Sequence, residues 1–219
     1  MSAADGFVSG TVKVVDHGPN GARYNIVIVG DGYRAADAAK YHADVQGFVD
    51  ALRGTAPFAD LWCGLNIHRV DVVSTDDGAD DPASCGDLSA GSGAAPRTYF
   101  DSTFCSGGGI RRLLTCDGTS AQTVAQAQVP EAHMTLVIVN SPLYGGSGGS
   151  VATFSTHASA AEIALHEMGH TAFGLADEYE SYAGCSSGEA DRNHYVGGEP
   201  VEPNVTLNAN RNTIKWRGA

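Results

Sequence analysis

Two histidines with a glutamate between them, His166, Glu167 and His170, form the pattern HExxH. Because a helical turn takes about 3.6 residues, side chains four apart differ by roughly 40° in direction. Both imidazoles therefore project from one face of a helix and can hold one metal ion. Glu167 directly follows the first of them, where a carboxylate can take a proton from water that the metal activates. The pattern predicts a zinc site that hydrolyses its substrate.

A helix must position these side chains, and the flanking residues favour one. Ser159 is suited to the N-cap, and Glu162 three residues later completes a capping box. Residues 160–165 contain neither Gly nor Pro, and Gly174 is a natural C-terminal stop. Apolar residues cover most of the circumference, which predicts a buried helix. Since histidines also pack in protein cores, HExxH alone leaves core packing open as an alternative to a metal site.

The acidic turn Asp177–Glu178 follows the predicted helix and offers a third ligand where the chain folds back. Structural zinc sites usually close with four protein ligands, often cysteines. No cysteine lies close to the two histidines in sequence, so the pattern favours an open, catalytic site.

The composition narrows the range of partners. The chain has 219 residues and a net charge of −12, which argues against nucleic acid and anionic membranes as partners. No apolar run is long enough to span a bilayer. Residues 1–10 have neither the basic nor the apolar region of a leader peptide, so we expect either a cytosolic protein or a leader outside this chain. The length suits one large domain or two small ones, and we expect a single domain over residues 1–219, with a natural end beyond this chain.

The cysteines indicate the compartment. The chain has five, none in a CxxC pair, and four lie between residues 63 and 116 in loop-like sequence. This distribution predicts one or two disulfides in an exported protein, with buried free thiols as the alternative.

Hydrophobic periodicity predicts an α/β chain built from strand–loop–helix units. Continuous apolar runs such as residues 24–29 and 134–139 are typical of buried strands. The predicted strands are Thr11–Val15, Tyr24–Val29, Leu65–Val73, Thr98–Phe100 (a short edge strand) and Met134–Val139, and the predicted helices are Ala35–Leu52, Ile110–Leu114, Ser120–Gln128 and the HExxH helix.

Two further segments have the composition of binding sites. Residues 30–35 match a dinucleotide-binding fingerprint with Asp50 downstream, but Asp31 would put a carboxylate beside the pyrophosphate, so a tight turn is favoured. The acidic residues of segment 76–81 are candidate calcium ligands, although their spacing is not that of an EF-hand and a solvated turn is favoured.

The glycine-rich loop of residues 140–149 lies between a core strand and the HExxH helix. It is well placed to border a cleft, and its backbone can pair with an extended peptide. Tyr144, Gly145 and Gly146 are therefore candidate substrate contacts, with a flexible connector as the alternative. His194 and Tyr195, in the polar segment after the helix, are candidates to reach the metal or the substrate.

Several segments together resemble the IgA-peptidase family of zinc metallopeptidases. The HExxH motif extends to HEMGHTAFGLADEY, and the likeness covers most of residues 24–216 in the same order. The other similar segments are NIVIVGDGY (25–33), residues 57–82, LVIVNSPLYGGSGG (136–149), PNVT (203–206) and Lys215–Trp216.

The resemblance implies a zincin fold, in which the HExxH helix lies under the edge strand of a twisted mixed sheet. It also implies an exported bacterial metallopeptidase, with His166 and His170 as zinc ligands and Glu167 as catalytic acid/base. Asp177 is the expected third ligand, although the better-known spacing of this motif would place it at Ala176; Glu178 is the fallback.

The predicted function is zinc-dependent endoproteolysis of protein or peptide substrates. Two alternatives differ in class: a non-catalytic binding module on the same scaffold, and a dinucleotide-binding α/β protein.

Overall fold

A six-stranded mixed sheet forms the centre of the protein. The computed structural model describes residues 5–86, 91–177 and 197–218. The strands are β1 (Gly6–Val15), β2 (Tyr24–Asp31), β3 (Leu65–Ser74), β4 (Ala132–Val139), β5 (Gly146–Ser147) and β6 (Ala152–Ser155). Their order across the sheet is β1-β3-β2-β4-β6-β5. The four inner strands are parallel, whereas β1 and β5 are antiparallel to their neighbours and form the two edges.

The inner strands owe their place to their apolar sequences. β2 and β4 pair in parallel, and nearly all of their residues are buried. A strand covered on both faces needs apolar side chains at consecutive positions rather than at alternate ones. The strands predicted from apolar runs are therefore present, each extended by a few residues.

Helices cover both faces of the sheet: α1 (Ala38–Gly54), the single turn α2 (Ser106–Gly109), α3 (Gly118–Gln128) and α4 (Ala160–Phe173). α1 buries one face, and the Tyr41 hydroxyl of that face donates hydrogen bonds to the carbonyls of Ile28 and Val70. α3 packs into the cluster that contains Val27 and Val29, which alternate with Ile28 and so lie on the other face. The prediction of an α/β chain with a mixed sheet is confirmed, in the α+β form.

Two predicted elements are wrong. Thr98–Phe100 is not a strand, because its Thr98 hydroxyl and Phe100 N–H are used to bind the buried Asp31 carboxylate. Ile110–Leu114 is not a helix: it runs beside Gly146 in a parallel bridge. The glycines of α2 have positive φ, which redirects the chain just before this segment.

Chain contacts divide the protein into two compact units, residues 1–171 and 172–219. In the second unit, the Asn204 side chain accepts from the Ala176 N–H and donates to the Ala176 carbonyl, both at 2.8 Å. Lys215 donates to the carbonyls of Pro200 and Glu202. Polar contacts thus join residue 176 to the segment 197–218 and the end of that segment to its start. The single domain over residues 1–219 stays a prediction.

The cysteines partly match expectation. Cys85 and Cys105 form a disulfide, whereas Cys63 is an exposed thiol and Cys116 a half-buried one. Cys185 lies outside the described residues. Among the helices that the structure describes, none combines the length and apolarity needed to cross a bilayer.

Candidate metal centre

Helix α4 carries the HExxH motif. Its first turn is joined to the preceding loop by hydrogen bonds from the Ala160 N–H to the His157 carbonyl and from the Ile163 N–H to the Ser159 carbonyl. Gly174, at φ +61°, follows the last helical residue, as a C-terminal glycine does.

The helix is buried on one side only, so the prediction of an all-round buried helix is wrong. Ile163, Ala164 and Met168 are buried, whereas His166 and Phe173 are exposed. This exposure disfavours core packing as the reason for the two histidines.

The two imidazoles converge. The Nε2 atoms of His166 and His170 lie 3.1 Å apart, and their ring planes are perpendicular. In a tetrahedral zinc site with Zn–N distances of about 2.05 Å, two ligand nitrogens are roughly 3.3 Å apart. The observed separation therefore fits two nitrogens that share one metal ion.

Asp177 comes four residues after the end of α4. His166 and His170 each offer one ring nitrogen, and Asp177, with a carboxylate oxygen to offer, stays the predicted third ligand. Two imidazole nitrogens and a carboxylate oxygen are a donor set that zinc accepts. The fallback ligand Glu178 lies outside the described residues.

The edge strand β5 passes directly over the motif. A Cβ added to Gly146 would lie 3.1 Å from Glu167 Oε1, and one added to Gly148 would lie 2.6 Å from His170 Cβ and 3.3 Å from Glu167 Oε2. The predicted placement of the HExxH helix under the edge strand is confirmed. The backbone at these two glycines therefore lies close to the Glu167 carboxylate.

The other candidate substrate contacts differ in exposure. Tyr144 is 52% exposed, and its ring meets the edge of His157 at 5.3 Å between centroids. Gly145 is buried, because it packs against Phe104 and Leu114. His194 and Tyr195 lie outside the described residues.

Sequence reasoning missed how the outer edge of β5 is used. The Gly146 N–H donates to the Arg112 carbonyl at 3.2 Å, and the Leu114 N–H donates to the Gly146 carbonyl at 3.3 Å. No motif near residues 110–114 signals this contact. It also missed Gly148, although the repeated glycines of the loop indicated a close approach of backbone to a neighbour.

In the turn that resembles a dinucleotide fingerprint, other parts of the chain occupy the space that a nucleotide would need. The Gly32 N–H is bonded to the Ser74 hydroxyl, and a Cβ on Gly32 would lie 1.9 Å from the Gly78 carbonyl oxygen. Asp31 is fully buried, and its carboxylate accepts hydrogen bonds from three groups of the segment 98–102. This packing leaves no room for a pyrophosphate and explains the glycine as a turn residue.

The acidic segment 76–81 does not gather its carboxylates around one point among the described residues. Instead, arginines from other parts of the chain pair with them individually. The ion pairs are Asp76–Arg97, Asp77–Arg34 and Asp81–Arg111. These contacts favour a structural role over calcium binding.

A mixed sheet with an antiparallel edge strand over a helix with paired imidazoles is an arrangement that suits a metal-dependent hydrolase. Residues 12–219 match the model of the family described as IgA Peptidase M64, and the chain belongs to that family. It is therefore a member of a metallopeptidase family, whose substrates are proteins. No curated protein matches the chain.

Proposed function

We propose that the protein is a zinc-dependent endopeptidase. The observation that carries this proposal is the convergence of the His166 and His170 Nε2 atoms, 3.1 Å apart, beside the Glu167 carboxylate and under the edge strand. His166, His170 and Asp177 are the proposed ligands. When bound, zinc lowers the pKa of water toward ~7 and polarises a carbonyl group.

Glu167 is the proposed acid/base. Its carboxylate accepts a proton from the attacking water and passes it to the leaving amine as the peptide bond breaks. Because Glu167 directly follows the first proposed ligand on the helix, its carboxylate stays close to the two imidazoles. Tyr144 is a proposed substrate contact, and Tyr195 or His194 a proposed hydrogen-bond donor to the developing oxyanion.

The proposed place of action is outside the cytoplasm. The Cys85–Cys105 disulfide supports export, because such bonds persist in oxidising compartments.

Helix α4 supplies a matched pair of variants for the test. We expect Glu167→Gln to keep zinc and lose about 10²–10⁴-fold in kcat on casein, since it removes the proton acceptor alone. Glu162→Gln changes an exposed glutamate in the first turn of the same helix and should keep both zinc and activity.

Full activity in Glu167→Gln would refute the assigned role. A wild-type protein that binds zinc but cleaves neither casein nor a random peptide library would favour the non-catalytic binding module.

A further inference from the structure

The outer edge of β5 is only partly open. In this antiparallel pair Gly145 bonds to β6 through the Ser155 N–H, and Ser147 is the register partner of Thr153. Since backbone groups of successive residues in a strand point to opposite sides, Gly146 directs its N–H and carbonyl outward, and the N–H of Gly148, the first residue after β5, follows the same alternation. These are the groups that a peptide would use to add as a further strand.

At Gly146 both outward groups are already bonded, to the Arg112 carbonyl and to the Leu114 N–H. We call residues Ile110–Leu114 the strap. Leu114 is fully buried, and its carbonyl accepts a hydrogen bond from the Ser147 hydroxyl. The strap is therefore anchored in the core at Leu114, whereas Ile110 and Arg112 are exposed.

Two links fix the segment that contains the strap. The Cys85–Cys105 disulfide holds its start, and the Cys85 sulfur lies 3.3 Å from the Gly109 carbonyl oxygen. Arg111 pairs with the Asp81 carboxylate. Both links attach the strap to the same loop, residues 81–86.

The strap ends before Gly148. Thr115, the next residue, turns away and exchanges two hydrogen bonds with Thr103. Gly148 is exposed, and its N–H and carbonyl make no hydrogen bond within the part of the chain that the structure describes. Its Cα carries no side chain where one would crowd Glu167 and His170.

We propose that the strap determines how substrate is bound: it closes the edge at Gly146, so that Gly148 is the one residue of β5 and the following loop that pairs with the substrate backbone beside Glu167. This inference rests on the proposed peptidase function. The substrate class that fits is a peptide segment that is extended for only a few residues and leaves the sheet edge at the strap. Lengthening a peptide in that direction should add little to its binding.

Amide exchange followed by NMR tests the pairing directly. The probe is the shortest casein peptide that the wild type cleaves, added to zinc-loaded Glu167→Gln so that it is not consumed. In the free protein the Gly146 amide should exchange at least about tenfold more slowly than the Gly148 amide. The peptide should slow exchange at Gly148 and leave Gly146 unchanged.

Equal exchange at the two glycines of the free protein would overturn the proposal, as would peptide protection at Gly146. Should the wild type cleave neither casein nor a random peptide library, the peptidase function fails, while the exchange rates of the free protein still decide whether the strap closes the edge. Cleavage without any response at Gly148 overturns the strap proposal alone.

A release experiment provides a second readout. The double variant Cys85→Ser/Cys105→Ser frees the start of the strap. Cys63→Ser is the control, because that cysteine is exposed and forms no disulfide. The substrates are peptides lengthened by one to four residues at either end. In the control, KM should stay constant as the peptide is lengthened at the end that meets the strap. In the double variant KM should fall with length at that end, with kcat unchanged. An identical length dependence in both proteins would overturn the proposal.

Discussion

Gly148→Ala tests how closely the loop after β5 fits against the helix that carries the HExxH motif. The added Cβ would lie 2.6 Å from His170 Cβ, whereas carbon atoms in favourable contact are about 3.5–4.0 Å apart. A displacement on the order of 1 Å is therefore required. The new carbon would also lie 3.2 Å from the Glu167 carbonyl oxygen, so the helix backbone is crowded as well as a side chain.

Two consequences follow, with different magnitudes. Overpacking of this kind costs about 1–3 kcal/mol in the free energy of unfolding. A misplacement of about 1 Å at a reacting centre costs about 10²-fold in rate. Because His170 is a proposed ligand, we expect kcat/KM to fall by about that factor and zinc to bind more weakly.

The assay is peptide hydrolysis at saturating zinc, together with zinc titration and urea denaturation. Gly47→Ala is the control: a Cβ there has nothing within 4 Å, and Ala replaces Gly in the middle of α1. It should keep full activity and gain about 0.5–1 kcal/mol in stability. Full activity and unchanged zinc affinity in Gly148→Ala would refute the close fit.

Three further predictions concern the scaffold. Asp31→Ala removes the shared acceptor of four buried hydrogen bonds, from the Ser74 and Thr98 hydroxyls and from two backbone N–H groups, so we expect a loss of at least about 3 kcal/mol in the free energy of unfolding, measured by urea denaturation. Burial raises the pKa of the Cys116 thiol to about 12, so iodoacetamide at pH 8 should label the exposed Cys63 and spare Cys116 in peptide mass spectra; equal labelling would contradict this burial. Reduction of the Cys85–Cys105 bond, whose residues are 20 apart in sequence, should cost about 3 kcal/mol, and an unchanged urea midpoint with reductant would contradict a stabilising role.

Local signals in the sequence were sufficient for much of the fold. The apolar runs of β2 and β4 predict buried strands because their environment is uniform along the strand. The HExxH spacing predicts the convergence of His166 and His170 because both lie on one helix, where geometry depends on spacing alone.

Contacts between distant parts of the chain were not predictable in this way. Residues 98–100 look like a strand, yet their polar groups bind Asp31, almost seventy positions away. The strap has a helical pattern, yet it bonds to Gly146. In both cases the partner that decides the local conformation lies elsewhere in the sequence, and tertiary contacts override propensity.

The metal content of purified protein tests the central claim most directly. The wild type and His170→Ala are to be saturated with zinc, desalted and analysed by inductively coupled plasma mass spectrometry. We expect close to one zinc per wild-type chain, and almost none in the variant, because one of the two converging imidazoles is lost. A wild type without zinc, or a variant that keeps as much as the wild type, would contradict the account.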